Sequence, residues 1–112
     1  PVLRTMLFDF YGELLTDKQR EYFDLHYNED LSLAEIAALT GISRQGVWDI
    51  IKRAEATLKE IEAKTGLVAR FAARREALAD IENRLSALLD SPDAAARRIS
   101  REVIDALRGL DD

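Results

Sequence analysis

SLAEIAALTGISRQGVWDIIKRAE, residues 32 to 55, has the spacing of a helix-turn-helix. Ser32 and Glu35 form a capping box, in which hydroxyl and carboxylate accept two amide N–H groups that a first helical turn leaves unpaired. Gly41 follows the apolar pair Ile36 and Leu39, and glycine takes the left-handed backbone that ends a helix without a Cβ clash. About three or four turn residues then lead to Ser43, a cap for the next helix. Val47, Ile50, Ile51, Ala54, Leu58 and Ile61 recur along that helix at helical spacing. Ala37 is small where the two helices approach, and Ile42 and Val47 can close the wedge between them. Turn chemistry and apolar pattern agree, so nucleic-acid binding is the leading functional expectation.

The chain is 112 residues long, about one domain, and 47% hydrophobic content is enough for a core without disulfides. It has no Cys, hence no disulfide framework or thiol chemistry, and its single His makes no Cys/His zinc site. Both facts suit the cytosol. No apolar run approaches the roughly 18 to 20 residues needed to cross a bilayer, and PVLRTMLFDF lacks the basic-then-apolar order of a signal peptide. A soluble, cytoplasmic protein is expected. The first residue is Pro rather than Met, so the expectation is that the native start was processed or lost.

Charge runs against a simple DNA binder. Sixteen basic and twenty-one acidic side chains give a formal net of −5, whereas autonomous DNA binders carry a basic face. Residues 1 to 66 hold eight Lys/Arg against twelve Asp/Glu, and residues 67 to 112 hold eight Arg against nine. Neither part is a basic module. Affinity for phosphate depends on a local patch, which net charge does not exclude.

Working outward, residues 3 to 15 place Leu3, Leu7, Phe10, Tyr11 and Leu14 on one face, with Arg4, Asp9 and Glu13 elsewhere. This predicts an amphipathic first helix, interrupted at Thr16. Thr16 and Gln19 make a second capping box for a helix to about Asn28 that carries Tyr22, Phe23, Leu25 and Tyr27. A loop from Glu29 to Leu31 leads into the helix-turn-helix. The helix from Ser43 runs to about Lys64, so its far end is expected to pack on another element. Gly66 is its C-cap. From Leu67 to Leu89, Leu67, Phe71, Leu78, Ile81, Leu85 and Leu88 form a seam spaced by three or four residues, a coiled-coil-like helix. Asp90-Ser91-Pro92-Asp93 combines a cap candidate, a Pro suited to the first turn and an early acid. The final helix starting there carries Ala96, Ile99, Val103, Ala106, Leu107 and Leu110. No stretch alternates as a strand would.

On the recognition helix the residues left for the outer face are Arg44, Gln45, Trp48, Asp49, Lys52 and Arg53. Arg and Lys bind phosphates or guanine edges, Gln pairs with adenine, and an exposed Trp stacks on an unpaired base. The nucleic-acid-binding set is therefore Arg44, Gln45, Trp48, Lys52 and Arg53. Asp49 repels phosphate, although it can accept from a cytosine amine or pair with Arg53 one turn on. The competing reading has Trp48 covering a neighbouring helix or a dimer partner, with the charges merely solvated. His26 lies between Leu25 and Tyr27 without a nucleophile or positioned carboxylate, as a structural histidine would. Ser32 and Ser43 are better explained as caps than as nucleophiles. Glu29 with Asp30, and Glu60 with Glu62, lack the loop geometry of a calcium or magnesium site. No catalytic residue, metal or cofactor is expected. Arg70, Arg74 and Arg75 beside Phe71, and Arg97, Arg98 and Arg101, form small basic clusters. Glu76, Asp80, Glu102 and Asp105 follow closely enough to neutralise them as helix-surface pairs.

FDFYGELLTDKQREYFDLHYNEDLSLAEIAALTGISRQGVWDIIKRAEATLKEIEAKTGL, residues 8 to 67, resembles the YlxM family of small bacterial proteins. Its FDFY and LLTDKQREY stretches distinguish it from the carboxyl-terminal DNA-binding region of sigma factors, which SLAEIAALTGIS also resembles. The resemblance implies an accessory role in the signal recognition particle pathway, with contact to the particle's RNA and influence on its GTPase, Ffh, or the receptor, FtsY. The likeness stops at about Val68, before an Ala- and Arg-rich tail.

The expected architecture is thus all-α: a sigma-like helix-turn-helix domain over residues 1–66, then two amphipathic helices over 67–112 that pack back or pair between subunits. The long fourth helix and the seam favour a homodimer. The functional expectation is a non-enzymatic regulator of protein targeting that binds particle RNA, with a DNA-binding transcriptional regulator as the alternative. A scaffold binding a basic protein partner is the third class.

Overall fold

A computed structural model describes residues 1–110. Six α-helices, and no strand among the described residues, follow in order: α1 (Val2–Tyr11), α2 (Asp17–Tyr27), α3 (Leu33–Thr40), α4 (Arg44–Thr65), α5 (Leu67–Ser86) and α6 (Ala94–Gly109), with a 3-10 turn at Gly12–Leu14. The chain forms two compact units, Pro1–Val68 and the residues from Ala69 onward.

In the first unit α4 packs on α1, α2 and α3. Val47, Ile51, Ala54 and Leu58, spaced four, three and four apart, form its wholly buried stripe. Leu7, Tyr11, Leu15, Tyr22, Phe23, Ile36 and Val68 complete the core. Phe8 stacks on Phe23 with ring centroids 4.9 Å apart. Both capping boxes form, Thr16 with Gln19 and Ser32 with Glu35. Gly41 and Gly66 end α3 and α4 in the left-handed region, at φ 76° and 64°.

The first helix departs from its predicted extent and face. It ends at Tyr11, and its buried row is Leu7 and Tyr11, continued by Leu15, whereas Leu3, Phe10 and Leu14 are exposed. Two overlapping apolar rows compete on this segment, and the 3-10 turn tightens the chain so that Leu15 rather than Leu14 turns inward. Arg4 accordingly lies against the fold. Its guanidinium sits 4.1 Å from the Tyr27 ring centroid and 3.3 Å from Glu55 Oε1. Burial raises the Tyr27 pKa, the Arg4 charge opposes that rise, and Glu55 adds to it.

The far end of α4 is held by α1, as its length led us to expect. Tyr11 Oη, buried, donates to Glu62 Oε1 at 2.5 Å and lies 2.6 Å from Thr65 Oγ1. The same Glu62 oxygen accepts from Val68 N at 3.0 Å. One carboxylate thus ties α1, the end of α4 and the start of α5.

In the second unit α5 stops at Ser86 rather than Leu89, and turns over residues 87–90 precede α6. The cap of α6 is Asp93, which accepts from Ala95 N at 2.9 Å, so Pro92 precedes the cap instead of occupying the first turn. Among the described residues of this unit only Ser100 and Ile104 are buried. The seam residues Leu67, Phe71, Ile81 and Leu88 stay exposed, and Leu78 and Leu85 are half-buried. Arg98 reaches Glu102 at 3.9 Å and Arg75 lies over the Phe71 ring, so both clusters are partly engaged within their own helices.

Tyr11→Phe is expected to lower unfolding free energy in urea by about 1–2 kcal/mol, since it removes the charge-assisted hydrogen bond to Glu62 and the contact with the Thr65 hydroxyl at a buried ring. The Glu35 carboxyl is held below its ordinary pKa, first by the Ser32 backbone N–H and then by the Ser32 side chain. Because the folded value is the lower one, the stabilisation is full above the unfolded pKa and is lost as pH falls through the folded value. Glu35→Gln keeps the cap and should flatten this part of the acid limb, read as urea midpoints at neutral and acidic pH.

Candidate nucleic-acid interface

The recognition helix starts where Ser43 Oγ accepts from Gly46 N at 3.0 Å. In the turn before it, Thr40 Oγ1 donates to Ile36 O at 2.8 Å, and Ile42 packs against the core. Gly46 belongs to the same close approach. A Cβ there would lie 2.7 Å from Ile42 Cγ2, so the first turn of α4 sits against the preceding turn at a distance only glycine allows. Spacing alone gave no reason for that glycine.

With Val47, Ile51, Ala54 and Leu58 turned inward, the opposite face of α4 carries Gln45, Asp49, Lys52 and Arg53, all exposed, and Arg44 is exposed at the helix start. Between residues 43 and 53 there are three cations and one carboxylate. Asp49 Oδ1 accepts from Gln45 Nε2 at 2.9 Å, so its partner is Gln45, one turn back, rather than Arg53. Arg44, Lys52 and Arg53 make no hydrogen bond or ion pair among the described residues. Elsewhere on the first unit Arg4, Arg20, Lys59 and Lys64 each face a carboxylate within 3.6 Å. Apart from Lys18 on α2, the cations of the first unit without an ion pair among the described residues therefore lie on the second helix of the helix-turn-helix, where they can meet phosphate without first breaking an ion pair.

Trp48 is placed differently from these four. It is three residues before Ile51, on the flank of the buried stripe, half-buried against the core and edge-on to His26 at 6.2 Å between centroids. His26 in turn donates from Nδ1 to Leu31 O at 2.7 Å, fastening the loop between α2 and α3. Sequence reading anticipated a structural histidine but not its link from that loop to Trp48. Among the described residues no group of His, Asp or Glu is arranged to hold a metal ion, and no helix is long and apolar enough to cross a membrane.

Residues 2–95 match the UPF0122 family, described as "helix-turn-helix protein, YlxM / p13 like". The chain belongs to this family. A UPF0122 protein of Thermoanaerobacter sp. (strain X514) is 61% identical over 66 residues, which cover 59% of this chain and 56% of that relative's length, little more than half. UPF0122 proteins of Halalkalibacterium halodurans and Bacillus cereus (strain AH187) match further, so the likeness runs past Val68, where the sequence led us to expect it to stop. The first is 48% identical over 96 residues, covering 78% of this chain and 88% of the relative, and the second 43% identical over 105, covering 94% and 91%. The UPF0122 helix-turn-helix is thus shown by sequence likeness and by its two capped helices together.

Placement separates the residues of this face by measurable effect. Trp48→Ala is expected to cost about 2 kcal/mol of stability, less than the 3–5 kcal/mol of a core tryptophan because the ring is half-exposed. Lys52→Glu and Arg53→Glu should each change it by less than about 0.5 kcal/mol. Urea denaturation followed by circular dichroism distinguishes the two classes.

Proposed function

We propose that this UPF0122 protein is a non-enzymatic accessory protein of the signal recognition particle pathway in the cytosol. It binds the particle's RNA through α4 as a homodimer and influences assembly with Ffh or FtsY. The observation that carries nucleic-acid binding is the face of Arg44, Gln45, Lys52 and Arg53, whose three cations have no carboxylate partner among the described residues. Trp48 contributes by fixing the flank of α4 on α2, with its exposed edge available to a base. The targeting context is supported by the likeness to the YlxM family, to which the chain belongs. An acidic whole is compatible with this role. A partner of a ribonucleoprotein does not have to hold duplex DNA by itself, and the net charge of −5 limits non-specific binding. The helix-turn-helix shape equally supports a second reading, a transcriptional regulator that places α4 in the major groove.

Fluorescence anisotropy of labelled particle RNA and of an unrelated duplex DNA, at two salt concentrations and with and without Ffh, tests the proposal. Three phosphate contacts give a slope of about −2 to −3 in log K against log salt, a roughly 16- to 64-fold loss of affinity between about 50 and 200 mM. Lys52→Glu should weaken RNA binding and make the slope shallower by about one, and Asp49→Lys should strengthen it. Preference for a palindromic duplex over the RNA would favour the transcriptional reading. If neither nucleic acid binds, both readings fail.

A further inference from the structure

Trp48 and His26 meet on the flank where α4 rests on α2, edge to face with ring centroids 6.2 Å apart. Both are half-buried, and each keeps one ring nitrogen unused. Leu31 O can only accept, so the 2.7 Å bond fixes the hydrogen of His26 on Nδ1 and leaves Nε2 of the neutral ring an acceptor. The Trp48 indole Nε1–H is a donor with no acceptor among the described residues. Every buried side-chain nitrogen or oxygen among the described residues has a hydrogen-bond partner, so these two, which have none, open to solvent. A donor and an acceptor thus stand on neighbouring rings at one surface. Arg44 lies one turn before Trp48 and Lys52 one turn after it, each about 6 Å away along the helix axis and neither in an ion pair among the described residues.

We propose that Trp48 and His26 form a site for one unpaired base, held by its Watson–Crick edge, with Arg44 and Lys52 taking the phosphates on either side. The inference rests on nucleic-acid binding through α4 as proposed above, and it names the form of nucleic acid taken: an unpaired nucleotide of RNA rather than a duplex. Every base carries a donor beside an acceptor on its Watson–Crick edge, which the Trp48 N–H and His26 Nε2 complement, and in a duplex that edge is already paired. Nor can the rings go to a paired base. They lie back against α2 instead of projecting from α4. Major-groove base edges, by contrast, lie about 8.5 Å deep in B-form DNA and are closed to side chains in A-form RNA. An unpaired base, splayed out of its strand, can come to them. Asp49 is held by Gln45 about 100° round the helix from Trp48, so its carboxylate does not confront phosphates on this flank. His26 then acts through both nitrogens: Nδ1 fastens the loop between α2 and α3, and Nε2 receives the base.

Trp48 is the only tryptophan of the chain, so its emission reports on the site directly. The full chain is titrated with a short unstructured RNA and with the same strand annealed to its complement, followed by indole emission and by anisotropy of the labelled strand. Phosphate contacts alone favour the duplex, whose charge is denser. The site reverses that order: the single strand should bind about fivefold or more tighter and change the emission, which the duplex leaves as it was. His26→Asn keeps a donor for Leu31 O and removes the Nε2 acceptor, and Trp48→Phe keeps a ring and removes the N–H. Each should cut single-strand affinity about threefold or more and duplex affinity by less than about twofold, a change of ratio that simple loss of structure does not produce. Tighter binding of the duplex, or single-strand binding that leaves the emission unchanged, overturns the site and leaves the phosphate-binding face in place. Variants that keep the wild-type ratio overturn the role of the two nitrogens. Binding of neither strand overturns the nucleic-acid reading of α4 together with this one.

Discussion

The first unit depends on one packing constraint. Val47, Ile51, Ala54 and Leu58 of α4 must be withdrawn from water against α1, α2 and α3 at once. A helix of 22 residues that buries a four-three-four stripe is fixed in rotation about its own axis. Turning it by one residue, roughly 100°, would expose two or three large side chains at about 1.5–3 kcal/mol each. That rotational lock is what makes α4 a display element. Gln45, Asp49, Lys52 and Arg53 point outward because the residues between them have no alternative. Glu62 extends the lock by receiving Tyr11 and the Val68 amide, so the end of the helix farthest from the turn is also held. Stability and presentation of the candidate interface are therefore the same property.

Features specified by neighbours in sequence were legible from it. Thr16 with Gln19, Ser32 with Glu35, Ser43, Gly41 and Gly66 act through the backbone within a few residues, and each does what its spacing predicted. Features decided by distant packing were not. The first helix offers Leu3, Leu7, Phe10, Tyr11 and Leu14 as a plausible face, and only contact with α4 keeps Leu7 and Tyr11 of these and adds Leu15. Trp48 sits about 60° from Ile51 and so on a boundary between buried and open, where sequence position alone does not say which way a large ring leans. It leans toward His26, and the histidine's other bond, to Leu31 O, explains why a lone imidazole belongs there. Asp49 shows the same limit for polar groups. Both Gln45 and Arg53 are one turn away, and the amide, not the guanidinium, is the partner observed.

The acidic composition and a basic recognition face are reconciled by how the charges are partnered. Half of the eight basic side chains of the first unit are spent on carboxylates, Arg20 on Asp17, Lys64 on Glu60, and Lys59 and Arg4 on Glu55. Such pairs contribute a few tenths of a kcal/mol each, and their electrostatic consequence is larger than their energetic one. They make the field near the surface local, so the outer face of α4 is distinguished by what it lacks, a carboxylate opposite each cation. Net charge averages over that distinction. Phosphate, which approaches within a Debye length of about 8 Å, does not.

The second unit poses a different energetic problem. A pair of helices ordered at about 1.5 kcal/mol per residue has to recover that cost from burial, and here the described residues bury only Ser100 and Ile104 completely. The Glu82 bond to Arg108 is well formed but exposed, and contributes little. What is left is the set of apolar side chains that stand about half in water, Ile81, Leu88, Ile99 and Val103 among them. Helices so thinly packed open at a lower free energy than a closed core, so opening shows first as fraying of α6 rather than as loss of the helix-turn-helix. The first unit, with its core closed around α4, stays folded through it.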